Sequence, residues 1–89
     1  MKESCWFVYI IQNEKGFLYT GITTDLDRRF REHSTSPRGA KFFRSGAPVK
    51  ILYRKECENR SEASRLEARV KKLTRPQKLK LIKTKVLSA

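Results

Sequence analysis

Residues Trp6 to Gln12 (WFVYIIQ) constrain the fold more than any other stretch. Aromatic and β-branched residues at successive positions make this run a strand that is apolar on both faces. Asn13-Glu14-Lys15-Gly16 is polar and holds a glycine, so it reads as a hairpin loop. Phe17 to Thr23 (FLYTGIT) reads as the returning strand. A glycine inside a strand, here Gly21, marks a bulge or a place where something comes close to the backbone. Tyr9 and Tyr19 share a sheet face if the loop has an odd number of residues, and lie on opposite faces if it has an even number.

The spacing predicts a helix from Thr24, as N-cap, to about His33, with Asp25 and Asp27 in its first turn. A loop follows to Gly39, then a short helical turn over 40–44 carrying Phe42 and Phe43, read as core and alternatively as a docking patch. Val49 to Cys57 reads as a third strand, with Val49, Ile51 and Tyr53 on one face. Asn59 caps a second helix, with Glu62 as its capping-box partner and Ala63, Leu66, Val70 and Leu73 as its apolar stripe. Thr74 and Pro76 restart the chain into a last short helix through Leu79, Leu81 and Ile82. The order is ββαβαα, an α/β (α+β) chain in which helices close one or both faces of a small sheet. Residues 1–82 form one domain and 83–89 a basic tail.

A chain of 89 residues holds one modest core. Its 21 Lys and Arg against 9 Asp and Glu leave a formal charge of +12. Self-repulsion of that size destabilises a compact fold unless an anionic partner offsets it, and nucleic acid is the commonest; the alternative is a solvated basic surface with no partner. An anionic membrane would favour a basic amphipathic helix with large exposed apolar residues, so no membrane partner is expected. Cys5 and Cys57 are too few and too far apart for a disulfide framework or a zinc site. With no leader pattern, they are expected to be reduced thiols in the cytoplasm, with nucleoid association open.

On the first helix, Leu26 and Phe30 set the buried face, while Arg29 and His33, four apart, fall beside it. Arg28, Arg31 and Glu32 take the solvent side. Arg29 and His33 are thus placed at the rim of the core, facing the hairpin. The alternative is an Arg that packs its stem and snorkels, beside a satisfied helix-end His. Glu67 lies on the flank of the second helix's stripe. There it either pairs with a neighbouring Arg or Lys, or holds Mg²⁺ together with waters and a substrate phosphate.

Val8-Tyr9-Ile10, Tyr19-Thr20-Gly21, the string Thr23 to His33 (TTDLDRRFREH) and the later Glu67 together resemble the GIY-YIG nuclease superfamily. They resemble in particular its small stand-alone bacterial members, the UPF0213 group. The resemblance spans roughly Trp6 to Ile82. It implies a three-stranded antiparallel sheet flanked by helices and a metal-dependent endonuclease hydrolysing phosphodiester bonds. On it, Tyr9, Tyr19, Arg29 and His33 are catalytic: a tyrosine is the base, assisted by His33, and Arg29 holds the scissile phosphate. Glu67 holds one Mg²⁺ or Mn²⁺, and Gly21 lets the backbone approach the nucleic acid. For either tyrosine to act as base its pKa has to be pulled down, by Arg29 and by the cation at Glu67.

The partner implied is DNA, with RNA as the alternative. Cutting would be structure-selective or weakly sequence-specific, in DNA repair or processing. The protein is expected to be a monomer that can pair on DNA. The alternative function is a catalytically weak nucleic-acid-binding module, on DNA or on RNA and the ribosome. This chain departs from the family pattern at Thr20, where Ile or Val is usual, in lacking the leading Gly of the first motif, and at Ile22, where many relatives carry Lys.

Overall fold

The computed structural model describes residues 5–35 and 46–85. It contains strands β1 (Trp6–Asn13), β2 (Leu18–Thr23) and β3 (Pro48–Cys57) and helices α1 (Leu26–Thr35), α2 (Arg60–Lys71) and α3 (Arg75–Thr84). The expected turn at 40–44, with Phe42 and Phe43, lies outside the described residues.

The three strands form one antiparallel sheet in the order β2-β1-β3. The doubly apolar β1 is its central strand, and both of its faces are covered. On one face Val8, Ile10 and Tyr53 pack against Ala63 and Val70 of α2 and Leu81 of α3. On the other, Tyr9 and Ile11 pack against Leu26, with Phe30, Tyr19 and Ile51 around them. Val8, Ile10 and Ile11 are no more than 1% exposed, and each such burial contributes about 1.5–3 kcal/mol.

The hairpin register pairs Tyr9 with Gly21 and Ile11 with Tyr19. Gln12 pairs with Leu18, which leaves five residues between them, so the odd-loop case holds and the two tyrosines share the α1 face. Asn13, 2% exposed, ends β1 and organises the turn: its Oδ1 accepts from the backbone N–H of Lys15 and of Phe17. Gly16 supplies the positive φ of 86° that the turn needs.

β3 departs from simple alternation. Its register against β1 shifts between Ile10 and Ile11 and again between Gln12 and Asn13. Tyr53 therefore faces α2 and α3 while Ile51 faces α1, and Val49 is exposed. Each irregularity inserts an extra residue and turns the following side chain to the other face. The single buried face expected for Val49, Ile51 and Tyr53 is corrected accordingly.

Helix ends also differ from expectation. Asp25, not Thr24, caps α1: its Oδ1 accepts from the Arg28 N–H at 3.0 Å. The carboxylate adds a favourable charge at the helix N-terminus. Asn59 caps α2 through Glu62 N–H as expected, but the Glu62 carboxylate returns to Glu58 N–H, one residue before the cap. Thr74 and Gln77 form the complete capping box, on α3. That helix runs through Thr84, two residues past Ile82, and stops at Lys85 in the left-handed region (φ 63°).

Candidate active site

The α1 face of the hairpin carries the chemistry. Tyr9 comes from β1, Tyr19 from β2, and Arg29 and His33 from one side of α1. Leu26 and Phe30 anchor that helix on the sheet, which aims Arg29 and His33 at the tyrosines. The Tyr9 hydroxyl and His33 Nε2 are 3.0 Å apart. The Tyr19 ring meets the imidazole edge-on at 5.4 Å and lies 6.2 Å from the Tyr9 ring. His33 is buried, and so is Tyr9, at 1% exposure.

Gly21 explains how the rings fit. A Cβ there would lie 2.5 Å from the Tyr9 hydroxyl and 2.7 Å from its Cζ. The close approach expected at this glycine is therefore made by the phenol of Tyr9, directly across the hairpin.

The Arg29 guanidinium lies against the Tyr9 hydroxyl and is gripped from the other side by Glu32, Nη1 to Oε1 at 2.9 Å. Glu32 is thus half-buried and engaged, not a solvent-side residue. Burial works against the Arg29 charge, but Glu32 and Tyr9 together hold its pKa above the ordinary value. Arginine can only donate, so the Tyr9 oxygen accepts from it. The Tyr9 hydroxyl donates to His33 Nε2 in the tautomer that leaves that nitrogen unprotonated. Burial first, and the Arg29 charge second, lower the His33 pKa to about 4, which keeps the imidazole neutral.

For Tyr9 the expected direction is reversed. Its pKa is pushed up to about 12. Burial is the largest cause, followed by neighbouring Tyr19; Arg29 pulls down but is outweighed, and Glu67 adds a small upward push. The free protein therefore holds Tyr9 neutral.

Glu67, on α2, is the weakest of the influences on the Tyr9 pKa. It pairs with Lys71, Oε2 to Nζ at 3.2 Å, which is the helical partner foreseen for it. Among the described residues no three His, Cys, Asp or Glu side chains cluster as a ready-made metal cage. One carboxylate oxygen donor fits Mg²⁺ or Mn²⁺, ions that share their coordination with waters and substrate phosphates. It does not fit zinc, which takes three or four protein ligands.

Ile22 points away from the tyrosines and packs with the α2 side of the core. Sequence reasoning missed Glu32 as a partner of Arg29. The signal was present in its i,i+3 spacing, but an exposed Arg28 one position earlier offered an equal claim.

The chain matches the GIY-YIG catalytic domain family over residues 5–80. It is 50% identical over 78 residues to a UPF0213 protein of Desulfotalea psychrophila, covering 88% of this chain and 71% of that one. A UPF0213 protein of Klebsiella pneumoniae is 45% identical over 78 residues, 88% of this chain and 73% of its own. The solution NMR structure of a UPF0213 protein from Bacillus halodurans superposes with a TM-score of 0.59 at 38% identity, over 91% of this chain and 85% of that one. GIY-YIG domains are nuclease domains that act on nucleic acid and generally use divalent metals. With its sheet, its paired tyrosines and its helix arginine in place, this chain belongs to the GIY-YIG nuclease superfamily and, within it, to the UPF0213 group.

Proposed function

We propose that the protein is a metal-dependent endonuclease that hydrolyses phosphodiester bonds in DNA, with structure-selective or weak sequence preference, in DNA repair or processing. The observation that carries this reading is the convergence of Tyr9, Tyr19, Arg29 and His33 from three elements, with Tyr9 3.0 Å from His33. Hydrolysis needs an activated water, charge neutralisation at phosphorus and a stabilised leaving oxygen. The planar fork of Arg29 suits a phosphate, which would replace Glu32 on Nη1. Glu67 would hold the divalent ion, which when bound supplies neutralisation of charge at the leaving oxygen.

Tyr9 is assigned as the base, in a concerted relay. Its oxygen takes a proton from the attacking water as its own proton passes to His33 Nε2. Phosphate at Arg29 offsets the positive charge that helps depress the His33 pKa, and so makes the imidazole a better acceptor when substrate is bound. Tyr19 orients the imidazole through its edge contact.

The test is cleavage of labelled duplex, single-stranded, nicked, flap and four-way-junction DNA with Mg²⁺, with Mn²⁺ and with EDTA. Arg29→Ala and Glu67→Ala are each expected to lower the rate about 10²–10³-fold while the fold is kept. Full activity in both variants would remove the assignment.

A second reading, binding DNA or RNA without cutting, is favoured by one observation: burial holds Tyr9 neutral against the pull of Arg29. Tight binding with no cleavage of any substrate under either metal would make it the better one.

A further inference from the structure

The basic charge is unevenly distributed. Between Arg65 and Lys85 stand nine Lys or Arg and the single acid Glu67, so this segment alone carries +8 of the total +12. It comprises most of α2 and all of α3. On α2 and its C-cap, Arg65, Arg69 and Lys72 are exposed and spaced four and three apart. They form one stripe about 10 Å long on the outer side of the helix. Arg65 donates to Ser61 at 2.8 Å. Neither Arg69 nor Lys72 has an acidic partner among the described residues. Lys80 and Lys83 of α3 are exposed as well.

This stripe does not face the candidate active site. Arg65 and Arg69 each lie two residues from Glu67, about 200° around the helix. Furthermore, α2 covers the sheet face opposite to the one that carries α1 and Arg29. Nucleic acid seated on Arg29 therefore leaves the stripe open. The outer face of α2 places Ser61 and Ala68 beside the three cations, with no large apolar residue to enter a lipid surface, which favours phosphate backbones over membrane.

We propose that Arg65, Arg69 and Lys72 form a second phosphate-backbone surface, which grips a segment of nucleic acid separate from the one at Tyr9 and Arg29. A folded or branched nucleic acid presents two such segments at once. The inference rests on nucleic acid being the partner but not on cleavage, so its test is a binding measurement in EDTA.

The affinity of the full chain for a four-way DNA junction is measured across a range of salt concentrations, beside the Arg65→Gln/Arg69→Gln/Lys72→Gln and Arg65→Lys/Arg69→Lys variants. Circular dichroism checks that each is folded. The slope of log affinity on log salt is expected to fall by about 2.7 in the Gln variant, roughly 0.9 for each phosphate no longer neutralised, and to hold in the Lys variant. An unchanged slope in the Gln variant overturns the proposal. So does an unchanged DNA slope combined with abolished binding to phosphatidylserine vesicles, which would assign the stripe to lipid. Arg29→Gln, run in parallel, reports separately on the α1 face: a normal slope there with a reduced slope in the Gln triple would keep the stripe and sink the active-site reading.

Discussion

At the scale of single residues, the site depends on what is missing at Gly21. The Tyr9 ring occupies the space a side chain would need, with its hydroxyl 2.5 Å from where a Cβ would sit. Gly21→Ala must push the phenol off His33. A stability loss of about 1–3 kcal/mol is expected from the overpacking, together with loss of cleavage. Denaturant unfolding checks the first, and an unchanged midpoint would show that the ring yields freely. One position away, Thr20 is 3% exposed and its hydroxyl has no hydrogen-bond partner among the described residues. Valine has the same shape without the stranded polar group. Thr20→Val should therefore raise stability by about 1 kcal/mol; a lower denaturation midpoint would mean that the hydroxyl is satisfied by water. This departure from the family pattern thus carries a structural cost on the side of the sheet away from the tyrosines.

At the scale of elements, α1 matters most, because a single helix presents both Arg29 and His33. Its start is held by Asp25, which accepts from Arg28 N–H. Asp25→Ala should cost about 1 kcal/mol, and Asp25→Asn a few tenths. Equal losses in thermal melts of the two would point to the macrodipole and not to the cap bond. The irregularities of β3 do comparable work on the opposite edge. They let one strand supply Tyr53 to the α2 face and Ile51 to the α1 face, so that it serves both cores.

For the molecule as a whole, the buried His33 couples stability to acidity. Its folded pKa of about 4 lies below the unfolded value of about 6.5. The unfolded chain therefore binds the proton first as pH falls. The stabilisation due to neutral His33 is complete above about pH 6.5 and is lost progressively down to about pH 4, by roughly 3 kcal/mol at most. The groups acting on it are Arg29, which opposes its protonation, and Glu32, which favours it. Between pH 7.5 and 4.5 the wild-type protein should lose about 2–3 kcal/mol more than His33→Gln, in which carboxylate titration is common to both. Parallel pH curves for the two proteins would show that His33 is not held neutral.

Much of this was legible in the amino-acid order. The doubly apolar run at Trp6–Gln12, the loop chemistry at Asn13–Gly16 and the helical stripe through Ala63 and Val70 each specify a local structure, because periodicity and turn propensity act over a few residues. The four-residue step from Arg29 to His33 placed both on one side of a helix for the same reason. Tertiary structure alone decided the rest. Which face Ile51 takes depends on a register shift against β1. That Glu32 sits closer to Arg29, at 2.9 Å, than to Arg28, at 3.9 Å, depends on where the sheet holds the Arg29 guanidinium. The rise of the Tyr9 pKa against the pull of Arg29 depends on how deeply the ring is buried. Desolvation is a property of the assembled core, contributed by residues far apart in the chain, and no spacing along the sequence encodes it.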